Sequence, residues 1–203
     1  MEVLVALLYR FRDVIESRYL MRKVVAFGAS SSSQSINKRL ATWAAYQLAE
    51  AQVQVLDLND YEMPIFSVDK EKVLGQPSEA VAFKDALRQA NGILISFAEH
   101  NGNFSAAFKN IFDWASRIEP KMWLDKPMFL LATSDGKRGG QTVLEIAVKG
   151  FPHRGGDVVA SFSLPQFKDH FEDDRGITDE VLLREFHQEL TKFSAAMGEL
   201  SNP

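Results

Sequence analysis

Three short polar loops, each lying between an apolar run and a helical pattern, contain most of the residues that could do chemistry. They are residues 28–37, which are rich in serine, residues 98–103, which include an Asn-Gly pair, and residues 134–140, which include three glycines. Amides and hydroxyls at the start of a helix favour an anion such as a phosphate. A polar turn can also present backbone groups to a flat heterocycle. Each loop alone is equally compatible with an ordinary capped turn.

The apolar runs alternate with helical patterns along the chain. Strands are predicted at residues 23–28, 53–58, 92–97, 128–133 and 158–162, and helices at 35–51, 77–90, 105–118, 141–148 and 179–197. Residues 61–76 are predicted to be a long connection. Strands that are apolar throughout indicate a parallel sheet covered by helices on both faces. In such a sheet, the loops after the first, third and fourth strands meet where ligands bind.

Composition limits the partners that we expect. A chain of 203 residues with 46% hydrophobic residues can bury one sizeable core, so we expect one main domain. The net charge of −4 gives no broad electrostatic footprint for nucleic acid or an anionic membrane. The absence of cysteine excludes disulfides, iron–sulfur clusters and cysteine nucleophiles, and it favours a cytoplasmic setting. Small molecules are therefore the expected partners.

The first twenty residues are treated separately from a domain predicted at residues 21–200. Their apolar run, residues 3–9, is too short to span a bilayer, and it lacks the flanking residues of a signal peptide. Two interpretations stay open. The segment is either an over-extended start or an extra amphipathic helix that carries Val5, Leu8, Phe11 and Ile15 on one face.

Taken together, the three loops resemble those of the NADPH-dependent FMN reductase family over residues 22 to about 198. The first loop keeps Gly28 and the Ser35-x-Asn37 pair, but it lacks the arginine of the family pattern. The second matches in one ungapped register, and the third matches at a serine and three glycines. The matching residues of these two loops are Glu99, Asn101, Gly102, Lys109, Asn110, Asp113, Trp114, Ser134, Gly136, Gly139 and Gly140. Ala98, His100, Ser105 and Ala106 depart from the pattern.

The resemblance implies a flavodoxin-like three-layer α/β sandwich, with a five-stranded parallel sheet in the order 2-1-3-4-5. It implies that Ser30, Ser31, Ser32, Ser33, Ser35 and Asn37 hold the FMN phosphate. The edge of the isoalloxazine ring is then lined by Glu99, His100, Asn101, Gly102 and Asn103. The ring or the incoming nicotinamide is covered by Ser134, Asp135, Gly136 and Gly139. A homodimer or homotetramer is also expected.

The activity that the resemblance implies is hydride transfer from NADPH or NADH to bound FMN and onward to a small acceptor. Flavins, quinones, azo compounds, nitro compounds and metal ions are the acceptor classes. No side-chain nucleophile is required. The first alternative is a flavodoxin-type electron carrier with protein partners, and the second is a degenerate fold that binds no flavin. Lys137 and Arg138 meet the 2′-phosphate of NADPH in one interpretation and are solvated charges in the other.

Two further patterns are assigned structural roles. The aromatic residues Phe104, Phe108, Phe112 and Trp114 are expected to belong to the core stripe of a helix. The four histidines match no zinc signature, and the acidic run at residues 172–174 lacks the pattern of a calcium loop. We therefore predict no metal site.

Overall fold

The computed structural model describes residues 21–49 and 51–198, and a central sheet of five parallel strands organises them. The sheet strands are β1 (Arg22–Ala29), β2 (Ala51–Val55), β3 (Gly92–Phe97), β6 (Lys126–Thr133) and β7 (Gly156–Leu164). Two short hairpins are formed by β4 (Glu99–His100) with β5 (Asn103–Phe104), and by β8 (Phe171–Glu172) with β9 (Gly176–Ile177). The α-helices are α1 (Ile36–Tyr46), α2 (Val68–Leu74), α3 (Ser78–Gln89), α4 (Ala106–Ala115), α5 (Gln141–Gly150), α6 (Phe167–His170) and α7 (Glu180–Ala196).

The strand order is β2-β1-β3-β6-β7, which confirms the predicted order 2-1-3-4-5. Every residue of β3 is buried, as expected for a central strand with helices on both faces. Every neighbouring pair in the sheet is parallel. The loops after β1, β3 and β6 therefore emerge at the same edge of the sheet, which we call the carboxyl edge.

Each face of the sheet carries its own apolar core. One core contains residues of α1 and α7, and the other contains residues of α3, α4 and α5. Phe108 and Trp114 are fully buried, while Phe104 and Phe112 are partly buried against the same core. This confirms the prediction for Phe108, Phe112 and Trp114, whereas Phe104 packs on the core from β5 and is not part of the helix. No helix in the described part of the chain is long and apolar enough to cross a membrane.

Several predicted bounds were wrong, and α2 was missed. The first helix ends at Tyr46 and not at residue 51, where β2 already begins. The second strand ends at Val55, because Asp57 accepts a hydrogen bond from the amide of Asn59 and caps a 3-10 turn at Leu58–Tyr61. The predicted long connection contains α2, which Ser67 caps by accepting a hydrogen bond from an amide of the first turn. None of the residues in α2 is buried, so this helix contributes no apolar stripe that sequence periodicity could reveal.

A segment that we call the strap, residues 165–177, follows β7 and crosses the outer side of α1. It contains α6 and the β8–β9 hairpin. Gly176 lies so close to the indole of Trp43 that a Cβ atom would overlap with the ring. Phe171 also contacts Trp43, with 5.8 Å between ring centroids. The strap is thus packed on α1 beside the carboxyl edge. The prediction about residues 1–20 lies outside the described residues.

Candidate functional site

The first loop, residues 28–37, folds tightly against the start of α1. Ser35 is the N-cap residue, and its hydroxyl accepts a hydrogen bond from the amide of Lys38 at 3.2 Å. The hydroxyl of Ser30 accepts a hydrogen bond from the amide of Ser32 at the same distance. A Cβ atom at Gly28 would overlap with the backbone of Lys38, so only glycine allows the helix to begin this close to β1.

This loop leaves several backbone donors open. The amides of Ser31, Ser33 and Gln34, and those of Ile36 and Asn37 in the first helical turn, have no acceptor within the described residues. First-turn amides have no intrahelical partner, and they lie at the positive end of the helix dipole. Ser31 and Ser33 are also exposed. The open donors and hydroxyls fit a phosphate group.

The nearest basic side chains lie in the first turns of α1 and already have acidic partners. Lys38 pairs with Asp57, and Arg39 pairs with Asp173 at 2.7 Å. The hydrogen bond from the Lys38 ammonium holds the pKa of Asp57 below its ordinary value. Residues 30–35 themselves carry no basic side chain. Amides and hydroxyls are therefore the donors that this loop offers directly.

The second loop is a tight hairpin. Asn101 and Gly102 both have positive φ, 51° and 73°, and they connect β4 to β5 as the two central residues of a turn. Two positive φ values in succession are typical of a type I′ turn, which Asn-Gly sequences favour. Glu99 pairs with Phe104 across the hairpin, and His100 at its tip is exposed.

Ser105 fastens this hairpin to the first loop. Its hydroxyl donates a hydrogen bond to the carbonyl of Ala29 at 2.8 Å and accepts one from the amide of Phe108, so it also caps α4. The sequence showed Ser105 only as a departure from the family pattern. A serine at the start of an amphipathic helix was the signal that could have identified its capping role. Its contact with Ala29 joins residues 76 positions apart and needed the structure.

Glu99 connects the hairpin to the third loop. The N-cap position of α5 is Gly140, which has no side chain to accept a hydrogen bond. A carboxylate oxygen of Glu99 instead accepts one from the amide of Val143 at 3.1 Å. The guanidinium of Arg138 lies 3.8 Å from the other oxygen. Glu99 is therefore placed at the positive end of α5, where a negative charge is stabilised.

Asn37 joins the first loop to the end of β6. This buried side chain accepts hydrogen bonds from the hydroxyl of Ser96 at 2.7 Å and from the amide of Thr133 at 3.1 Å. Its own amide donates to the carbonyl of Thr133 at 3.2 Å. The side chain thus connects α1 with β3 and β6, and only one of its donor hydrogens remains for any ligand.

The third loop rests on the strap. The carbonyl of Ser134 accepts a hydrogen bond from the amide of Phe167, and that of Gly136 accepts one from Gln166. Asp135 forms an ion pair with Lys168 of the strap. A Cβ atom at Gly139 would lie 2.8 Å from the amide nitrogen of Pro165, and the φ of this glycine is 56°. Residues 135–138 remain exposed beside the hairpin.

The other family-matching residues lie on α4 and have structural partners. The side chain of Asn110 accepts a hydrogen bond from the amide of Phe66 and donates to the carbonyl of Met63. The indole of Trp114 donates to the carbonyl of Pro64 at 2.7 Å. They hold the connection before α2 in place. Within the described residues, no three acidic or histidine side chains cluster as metal ligands would.

The sequence is similar to those of known reductases. It is 29% identical to an NADPH:quinone oxidoreductase of Arabidopsis thaliana over 150 residues, which are 71% of this chain and 74% of that protein. It is 30% identical to a quinone reductase of Escherichia coli K12 over 79 residues, 39% of this chain and 42% of that one.

Solved structures share the fold. The structure of FerB, a flavoenzyme NAD(P)H:(acceptor) oxidoreductase from Paracoccus denitrificans, superposes with a TM-score of 0.69 at 21% identity, covering 89% of this chain and 99% of that one. An NADH:FMN oxidoreductase, EMOB, in its apo form gives a TM-score of 0.67 at 17% identity over 90% of this chain and 92% of that one. Finally, residues 22–169 match the sequence pattern of a family described as NADPH-dependent FMN reductase. The chain belongs to the NADPH-dependent FMN reductase family.

Proposed function

We propose that the three loops bind FMN at the carboxyl edge and admit a reduced nicotinamide and then a small acceptor. The family already gives the reaction class, an NAD(P)H-dependent oxidoreductase that uses FMN. The assignment of each loop is our proposal. It rests on one observation above all: the first loop offers amides without acceptors at the positive end of α1.

In this proposal, the first loop binds the flavin phosphate through the amides of residues 31–37 and the hydroxyls of its serines. The hairpin at residues 99–103 presents its turn to the ring, and residues 134–140 cover the opening through which nicotinamide enters. FMN, when bound, supplies the hydride and electron chemistry. The residues of the chain orient the ligands, and Asn37, Glu99 and Ser105 act as positioning residues that keep the loops in register.

Quinones are the acceptors that we favour. The curated relatives named above carry quinone reduction in their names, and a quinone is a small planar molecule that suits an opening between two glycine-bearing loops. The basic side chains of Lys137 and Arg138 are exposed on the third loop, and we assign them to the phosphates of the nicotinamide cofactor.

We also propose that the protein works as a homodimer or a larger homo-oligomer in the cytoplasm. Ile65 lies shortly before α2, and Val68, Val73 and Leu74 lie within it, and all four side chains are exposed. Four exposed apolar side chains within ten residues are a feature that a contact with a second copy would bury. The cytoplasmic assignment is supported by the lack of cysteine.

The decisive experiment is the visible spectrum of the purified protein before and after anaerobic addition of NADPH. A flavin absorbance band that is bleached by NADPH and restored by a quinone is the expected result. A bound flavin that NADPH does not bleach would favour the electron carrier with protein partners. Protein that neither carries flavin nor binds added FMN would contradict the proposal.

A further inference from the structure

A groove of about 520 Å³ runs along the outer side of α1, from the first loop towards the end of the helix. Residues 33–35 form its upper end, and Thr42, Trp43 and Tyr46 form its floor. Phe171 and Asp173 of the strap form one wall. The groove is continuous with the loop to which we assign the flavin phosphate, and it lies along a different face of α1 from the one that packs on the sheet.

The lining of the groove has the chemistry of a nucleotide site. Tyr46 keeps 65% of its surface exposed, so aromatic surface is available for a base. Trp43 beside it is partly exposed and is held by Phe171 and Phe186. Stacking on aromatic side chains is a general way to hold a nucleobase. Thr42 lines the same floor. The volume of the groove also falls in the usual range of small-molecule sites.

Arg39 supplies a pre-oriented cation in the upper part of the groove. Its Nε donates to Asp173, and its guanidinium carbon lies 4.9 Å from the ring centroid of Phe167 and 5.8 Å from that of Phe171. Its Nη groups have no partner within the described residues, and the side chain is 41% exposed. Arg39 lines the groove together with residues 33–35 of the first loop. Aromatic contacts and one carboxylate thus hold a guanidinium ready for a phosphate.

We propose that the groove binds the adenylate half of a flavin dinucleotide, so that the protein accepts FAD as well as FMN. The inference rests on the proposed function, because the flavin phosphate must sit on the first loop for the rest of the molecule to reach the groove. The second phosphate lies at Arg39, which supplies the positive charge that the loop itself lacks, and the adenine lies on Trp43 and Tyr46.

The test compares FMN and FAD binding to the full chain after its flavin is removed, with flavin fluorescence as the readout. Thr42→Tyr fills the floor of the groove, and Gln188→Tyr places the same side chain on the exposed face of α7 as a control. We expect Thr42→Tyr to raise the Kd for FAD about tenfold or more, while the Kd for FMN stays within about twofold. Gln188→Tyr should change neither value.

A second variant, Tyr46→Ala, removes aromatic surface without filling space. It should weaken FAD about threefold to tenfold and leave FMN unchanged. AMP added to the protein should compete with FAD and leave FMN binding unchanged, which separates the groove from the phosphate loop. AMP that displaces both flavins would overturn the inference, since it would then occupy the first loop.

Four other results separate the inference from the proposed function. Protein that binds FMN but no FAD would overturn the inference alone, and equal weakening of both flavins by Thr42→Tyr would do the same. A change in oligomeric state in Thr42→Tyr, by light scattering and with FAD binding intact, would identify the groove as a contact between copies. Failure of both flavins to bind the unmodified protein would overturn the proposed function as well.

Discussion

Polar side chains are used differently at the carboxyl edge of the sheet and near its amino edge. At the carboxyl edge, the buried side chains of Asn37 and Ser105 connect the loops to one another. Near the amino edge, the fully buried ammonium of Lys84 donates to the carbonyls of Met122 and Lys121 and pairs with Glu119 at 2.8 Å. The first arrangement leaves backbone donors open, whereas the second encloses a charge among acceptors.

The polar groups at the carboxyl edge contribute mainly to ligand binding, whereas those near the amino edge contribute mainly to the stability of the fold. Open amides at the carboxyl edge gain acceptors only when an anion arrives, so they contribute to affinity more than to folding. Burial lowers the pKa of Lys84, while its hydrogen bond with Glu119 opposes that shift. A buried ion pair of this kind gives little net stability, yet removal of one partner is destabilising. We therefore expect substitutions at the two edges to affect different measurements.

The largest effect is expected from Ser35→Asp. Aspartate is as good an N-cap as serine, so α1 should still form, but its charge lies where we place the phosphate. FMN affinity should fall about 100-fold or more, measured by flavin fluorescence, with an unchanged circular dichroism spectrum. Ser78→Asp adds the same charge at the start of α3 and serves as the control. Normal FMN binding by folded Ser35→Asp would show that this loop is not the phosphate site.

Asn37→Ala should affect both binding and stability. It removes three hydrogen bonds and leaves the amide and carbonyl of Thr133 unpaired in a buried place. We expect a loss of about 2–3 kcal/mol in the free energy of unfolding, measured in urea, together with weaker FMN binding. Ser96→Ala removes one of these bonds and should lose less than half as much. A loss of stability without any change in FMN affinity would show that the hydrogen bonds of Asn37 stabilise the fold but do not position the FMN site.

Near the amino edge, Glu119→Gln should destabilise the fold without affecting the flavin. It leaves the Lys84 ammonium buried with carbonyl acceptors only, and about 1–2 kcal/mol of stability should be lost, because Glu119 itself is partly exposed. Lys84→Met removes the buried charge, but it also leaves the carbonyls of Lys121 and Met122 without this donor, so it should cost about 1–3 kcal/mol. Stability unchanged in Glu119→Gln would contradict the view that Glu119 compensates the buried ammonium.

The pH dependence gives the same pair a second test. The hydrogen bond from Lys84 lowers the pKa of Glu119 below its ordinary value of 4.5. A carboxylate with a lowered pKa contributes stability that is complete above its unfolded pKa and is lost as the pH falls through the folded one. Urea unfolding of Glu119→Gln should therefore lose less stability than the wild type as the pH falls below 4.5. If the free energy of unfolding of the two proteins fell equally with pH, the ionised Glu119 would not contribute to stability through Lys84.

The sequence predicted the sheet because its strands are continuous apolar runs, and it placed the three loops at one edge because parallel strands end together. It could not predict α2, because this helix buries no residues and is fixed through Asn110 and Trp114, which contact the segment before it. The family pattern includes Asn110 and Trp114, but it does not indicate that their side chains hold the backbone of the segment before α2. Such contacts depend on tertiary distance, which local patterns do not contain.

The same reason limits the prediction of the site. Local patterns indicated a capped turn in the first loop and a turn at the Asn-Gly pair of the second, since both depend on neighbouring residues. The hydrogen bonds of Asn37 and Glu99 join residues 96 and 44 positions apart, so only the folded chain brings their partners to them. The assignment of these two side chains to FMN stays a prediction, and the structure adds a positioning role to it.

The smallest effect is expected from Glu99→Gln. Glutamine can still accept the hydrogen bond from Val143, but it removes the negative charge from the start of α5, and that charge contributes about 0.3–1 kcal/mol at such a position. We expect a loss of stability in this range, an unchanged Kd for FMN, and a KM for NADPH that rises about twofold to threefold. Glu99→Ala removes the hydrogen bond as well and should lose about 1 kcal/mol more. If Glu99 only positions the third loop, its hydrogen bond to Val143 is what matters, and glutamine keeps that bond. Glu99→Gln should therefore keep most of the stability that Glu99→Ala loses. Equal losses in the two variants, or a large rise in the Kd for FMN in Glu99→Gln, would instead indicate that the carboxylate contacts the flavin directly.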